Sequence, residues 1–157
     1  MLEFFQSLPK ELAVFIMAAT PVIEVRGAVP FGFYLGLPWQ LNFSLNVVGS
    51  VIPVIPILWF LNTLTIKLRK IPWWDKFFTW LFARTRAKSK IIQEFELIGL
   101  ILFIGIPFPG TGVWTGCIAA YLFGLRWLPT FICAILGTII ATTLMTLASL
   151  GIINFFT

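Results

Sequence analysis

The chain contains no histidine, and acids are scarce: six Asp and Glu stand against eleven Lys and Arg. Without histidine the usual proton shuttle and the commonest metal ligand are missing. Cysteine is nearly absent too. Cys117 and Cys133 lie in apolar runs at no metal-ligand spacing, so both read as small buried hydrophobes with neither a disulfide nor a metal site. There is no Ser-His-Asp set, no metal cluster and no Gly-x-Ser-x-Gly elbow, which argues against an enzyme and for a chain without cofactors. Charge is low overall, at 11% of residues, where soluble domains carry about 25%.

Apolar surface fills the place of what is missing. Of 157 residues 59% are hydrophobic, and mean hydropathy is +0.99. A domain of this size buries only part of its surface, so lipid is the expected solvent. The length suits one membrane domain with no separate soluble domain. Residues 1–10 carry Glu3 and Lys10, the apolar run 12–19 is short, and Ala18-Ala19-Thr20 only loosely resembles a cleavage site. The segment is therefore expected to be retained.

Two uncharged stretches, 41–64 and 127–150, have the length of spanning helices, with kinks expected at Pro53 and Pro56 in the first. Two others are interrupted. The run 12–37 is broken by Thr20-Pro21 and by the segment from Glu24 to Pro30, and 98–125 by Pro107-Phe108-Pro109-Gly110-Thr111-Gly112. Their flanks, about 8–12 residues each, are too short to cross and suit re-entrant half-helix hairpins, one kinked spanning helix in each place being the alternative. Between them, 67–90 holds eight Lys and Arg against Asp75 alone, which places this segment in the cytoplasm. Trp74, Phe77, Phe78, Leu81 and Phe82 fall at helical spacing, which predicts an amphipathic helix on the cytoplasmic leaflet; nucleic acid is not the expected partner of these cations.

The halves resemble each other at an offset of 88. Gly36-Leu37-Pro38-Trp39 faces Gly124-Leu125-Arg126-Trp127, Phe43 faces Phe131, Gly49 faces Gly137 and Ser50 faces Thr138. The expected fold is an all-α integral membrane protein of two inverted repeats, 11–64 and 97–150. Each is a re-entrant hairpin plus one spanning helix, and the segment 65–96 joins them. Inverted repeats with broken helices meeting near the midplane are the layout of secondary transporters.

Glu24 and Arg26 are the charges at membrane depth that cannot easily snorkel, and such residues mark function by default. A desolvated glutamate can take up a proton or cation, an effect a nearby Arg26 opposes; the arginine can instead hold a phosphate or carboxylate. The competing reading is a structural Glu24–Arg26 pair. In the second break Gly110 and Gly112 allow close backbone approach, Thr111 and Thr115 supply hydroxyls, and a helix starting near Thr111 would offer free N–H groups to an anion. Tight packing through Gly112 and Gly116 explains the same residues. Arg126 is either a cytoplasmic anchor or a lipid-phosphate contact. Asn42 and Asn46 either glue helices together or line a cavity.

The stretches Pro21-Val22-Ile23-Glu24-Val25-Arg26-Gly27-Ala28-Val29-Pro30 and Pro107-Phe108-Pro109-Gly110-Thr111-Gly112-Val113-Trp114-Thr115-Gly116 resemble the two signatures of the small multidrug export family, over nearly the whole chain. That family is similar in layout to the DedA/VTT membrane proteins, which are implicated in moving lipids. The resemblance implies proton- or ion-coupled transport. Glu24 matches the acid of the first hairpin in DedA-like proteins. Arg126 matches the following arginines only roughly, since the usual further arginine and a second membrane acid are lacking. The expectation is a small homodimeric transporter or flippase of a prokaryotic cytoplasmic membrane, with membrane lipids around it. Its amphipathic substrate is a lipid phosphate (polyprenyl phosphate or phospholipid), held by Glu24, Arg26, Pro109, Gly110, Thr111, Gly112, Thr115 and Arg126. A cationic drug exporter, and an ion channel or membrane scaffold, are the alternatives.

Overall fold

A computed structural model describes residues 8–68, 70–86, 90–108 and 110–156. Among them the chain is helical, without strands. In order the elements are α1 (Lys10–Ala19), α2 (Glu24–Tyr34), α3 (Trp39–Val51), α4 (Val54–Leu68), α5 (Pro72–Arg86), α6 (Lys90–Gly105), α7 (Val113–Leu122) and α8 (Trp127–Phe156). Two stretches are long and apolar enough to cross a membrane, Trp39–Lys67 and Trp127–Gly151. The first joins α3 to α4 through a turn at Ile52 and Pro53, as expected from a proline that cannot donate to the preceding turn, while Pro56 lies within α4.

The first interrupted segment is broken more narrowly than its sequence suggests. The gap covers residues 20–23, and α2 then runs unbroken through Pro30, which lies exposed on its outer face. Proline costs that helix the bond to the Arg26 carbonyl but not its course. The second interruption falls where the Pro-Gly run predicts it, between Gly105 and Val113. Of the flanks, α1, α2 and α7 have 10, 11 and 10 residues, whereas α6 has 16 and begins at Lys90, inside the segment expected to join the repeats. The amphipathic helix predicted from Trp74, Phe77 and Phe78 is α5. Phe78 is buried and Trp74 stacks on it, whereas Trp73, Phe77 and Trp80 are exposed; Leu81 and Phe82 lie outside the described side chains.

The 88-residue offset reappears in the backbone. After α2, the amides of Leu35, Gly36 and Leu37 bond the carbonyls of Phe31, Phe33 and Gly32; after α7, those of Phe123, Gly124 and Leu125 bond Ala119, Tyr121 and Ala120. Gly36 and Gly124 take φ of +74° and +70°, the left-handed turn that ends a helix cheaply only at glycine. Trp39 and Trp127 then open the next helices. The packing also repeats. α1 lies along α3 and α6 along α8, while α2 packs on α8 and α7 on α4.

Lipid gives helices no hydrophobic reason to associate, so close packing through small residues must do it. Ala13, Ala18, Ala28 and Leu37 centre one core on the first hairpin. Ile104, Cys117, Ala120 and Ala134 centre another on the second. Val25, Val29 and Ala141 join α2 to α8. Gly49 brings α3 against the Phe15 carbonyl, where an added Cβ would stand 2.7 Å from the oxygen. Gly137 brings α8 against Ile104 and the Ile101 carbonyl in the same way. Asn42 serves as glue between α3 and α2, and Asn46 on the same helix steadies its amide. Asn42 Nδ2 donates to the Val29 carbonyl at 2.9 Å, and Asn46 Nδ2 donates to Asn42 Oδ1 at 2.9 Å.

Candidate functional site

The two broken loops meet. Glu24, the first residue of α2, is 5% exposed and adopts φ +49°, a conformation that non-glycine residues rarely take. Its side chain points across at the second break. Arg26 Nη1 donates to Glu24 Oε2 at 2.6 Å, and Arg26 Nη2 donates to Thr111 Oγ1 at 2.7 Å. The guanidinium fork thus spans both hairpins from two separate nitrogens, where a lysine would have to reach both acceptors from one. Thr111 is held in turn, its hydroxyl within 2.9 Å of the Ile106 carbonyl and 2.8 Å of the Phe108 carbonyl.

Gly112, the residue before α7, is also left-handed at φ +143°, and a Cβ there would fall on the Glu24 carboxylate. Only a glycine lets the backbone approach so closely. α7 therefore begins against Glu24, and the Trp114 amide donates to Oε1 at 3.5 Å. An acid at a helix start meets unpaired N–H groups and the positive end of the helix dipole. The Trp114 indole reaches back to the Ala19 carbonyl at 3.3 Å, at the end of α1.

Beside the carboxylate lies a small void whose walls include Glu24 and Gly112, Val25 and Val113, and Ser50 and Thr138. Each of these is a pair 88 residues apart. Residues related by the 88-residue offset thus line one void together.

Of the residues marked out by sequence, Glu24, Arg26, Thr111 and Gly112 are brought together. Gly110 is exposed at φ +85° in the same loop, and Pro109 lies outside the described residues. Thr115 turns away. It is exposed and its hydroxyl donates back to the Gly112 carbonyl at 3.3 Å, within the first turn of α7 and away from the crossing. Arg126 stands beyond the far end of α7, about 15 Å of helix from Val113. Trp114, Ser50 and Thr138 border the centre and were not singled out as site residues. The last two are matched in the repeat, and that pairing was their one signal. A group of His, Cys, Asp or Glu able to hold a metal is absent among the described residues.

A second, larger cavity of about 460 Å³ opens at the other end of α7, between α4, α7 and α8. Trp59, Asn62, Tyr121, Trp127 and Phe131 are among its walls.

A family model described as "Putative small multi-drug export protein" matches residues 24–144. The chain belongs to this family. The match begins at Glu24, just after the first break, and takes in the second break, the crossing of Glu24, Arg26, Thr111 and Gly112, and most of both long apolar helices. A membrane protein is the class these helices and the family agree on. No curated protein and no solved structure matches the chain.

Proposed function

We propose that this member of the small multi-drug export family is an ion- or proton-coupled secondary transporter of an amphipathic substrate. The observation that carries this reading is the Arg26 fork, bonded at once to Glu24 in the first broken loop and to Thr111 in the second. A buried ion pair is a poor stabiliser, because desolvating two charges costs about what their attraction returns. A pair that also latches two hairpins is better explained as a switch. Protonation or cation binding at Glu24 weakens its hold on Arg26, freeing the guanidinium for an anionic head group and releasing the loop of Thr111.

The meeting of equivalent positions supports an inverted repeat, because residues related by a two-fold axis approach each other where that axis passes. Positions 24 and 112, 25 and 113, and 50 and 138 do so around one void. The halves then run oppositely through a prokaryotic cytoplasmic membrane, with the basic 65–96 segment inside and the two hairpins re-entrant from opposite faces. Two hairpins and two crossings barely enclose a path, so the working unit is a homodimer. Arg26 Nε, buried without a hydrogen-bond partner, favours a lipid phosphate, as the resemblance to DedA/VTT proteins also implies. The family description favours a cationic drug, the second reading. Transport, not catalysis, is the activity.

The test is flux in proteoliposomes across a pH gradient, with a labelled polyprenyl phosphate and a cationic dye run against Glu24→Gln. Lipid flipping that the substitution abolishes supports the reading. Dye movement alone moves the assignment to drug export. Movement of neither overturns transport and leaves a channel or scaffold.

A further inference from the structure

We infer that the cavity between α4, α7 and α8 is a binding site for an anionic amphipath, with the apolar body between the aromatic walls and the head group on Arg126. The inference rests on the transporter reading above and supplies it with a docking station distinct from the Glu24–Arg26 crossing.

At about 460 Å³ the space lies within the range of small-molecule sites. Its walls are mainly apolar and aromatic, with the Asn62 amide among them. The tryptophans at its mouth, Trp59 and Trp127, are each 69% exposed, so the site opens sideways where an amphipath enters from lipid. Arg126 stands between Leu125 and Trp127, both of which line the cavity. It is exposed, and its guanidinium has no partner among the described residues. No acidic residue is among the described residues that line the cavity, so no carboxylate there recruits a cationic head group.

The first half of the chain serves as an internal control. The same turn, with the same three amide bonds and the same left-handed glycine, occurs there with Pro38 at the position equivalent to Arg126. The Pro38 carbonyl accepts from Asn42 N at 3.0 Å, as the Arg126 carbonyl accepts from Thr130 N at 3.1 Å. The turn therefore needs only a carbonyl at this position. The surroundings of the turns differ as well. Leu37 is buried against α1, whereas Leu125, though packed on the second core, is only part-buried and borders the cavity together with Tyr121. The cation and the cavity thus stand together in the second half, and the first half has a proline in the cation's place.

The experiment uses the full chain in lipid nanodiscs and three probes with the same brominated dodecyl tail, carrying a phosphate, a phosphocholine or a trimethylammonium head. Quenching of tryptophan fluorescence reports binding, and the Trp59→Phe/Trp127→Phe double variant locates it. The phosphate probe is expected to bind about tenfold or more tightly than the trimethylammonium one, the scale of one charge-assisted contact. Arg126→Gln is expected to erase that difference, and Arg126→Lys to keep most of it. Preference for the cationic probe, a preference that survives Arg126→Gln, or quenching unchanged in the double tryptophan variant each overturns the site. So does a cross-link between cysteines placed at Ile55 of two copies that blocks quenching, since the cavity is then a seam between subunits. Binding is read without transport, so failure of the transporter reading in the flux assay is distinguishable from failure here.

Discussion

Glu24 and Gly112, 88 residues apart, meet side chain to backbone, each with a positive φ. The carboxylate fills the room that any side chain at 112 would need. Gly112→Ala is therefore expected to displace the pair and cost about 1–3 kcal/mol, the range of an overpacked interior. Gly110→Ala, two residues earlier at φ +85° but with nothing within 4 Å of an added Cβ, is expected to cost only the backbone strain of about 1–2 kcal/mol. Thermal unfolding of the two variants in detergent checks the order.

Removing the fork differs from shortening it. Arg26→Ala leaves the buried Glu24 without its counter-charge and is expected to cost about 3–5 kcal/mol. Arg26→Lys keeps one contact and loses the other. A double-mutant cycle with Thr111→Val separates the terms: Thr111→Val is expected to cost about 1 kcal/mol more with Arg26 in place than in the Arg26→Lys background, where only its bonds to the Ile106 and Phe108 carbonyls are lost.

The two turn glycines offer a test of the repeat as a physical fact. Gly36 and Gly124 share φ near +70°, the same amide bonds and, at Gly36, free space around an added Cβ. Gly36→Ala and Gly124→Ala are each expected to destabilise by about 1–2 kcal/mol. A difference between them greater than that span shows that the turns are not equivalent in energy.

Helix-borne glycines sort by what faces them. Gly49→Ala drives a methyl towards the Phe15 carbonyl and is expected to separate α3 from α1, with loss of stability. Gly99, within α6, meets nothing within 4 Å. Gly99→Ala is expected to raise stability by about 0.5–1 kcal/mol through helix propensity alone. Melting temperatures moving in opposite directions verify both.

Much of this arrangement was legible beforehand because its signals are local or periodic. Apolar length marked the spans, the Pro-Gly run placed the second break, and Gly36-Leu37 against Gly124-Leu125 gave the repeat offset. Glu24 and Arg26 stood out because charge at membrane depth is costly. What stayed hidden depends on distant backbone. Nothing local tells that a glutamate adopts the left-handed region, that Arg26 reaches Thr111 85 residues on, or that Pro30 is tolerated on the outer face of α2. The upstream reach of α6 was missed because its first turns are polar and read as part of the basic segment.

Trp114 binds Glu24 through its amide and Ala19 through its indole, from 90 and 95 residues away. During synthesis the first hairpin therefore emerges with its carboxylate held by Arg26 alone and the Ala19 carbonyl still unmet, and gains the Thr111 and Trp114 contacts only after the second hairpin has been made. A ribosome stalled before residue 114 should hold a first half whose Glu24 region is open to water-soluble reagents. The chain completes its centre late, and quality control has a long interval in which to inspect it.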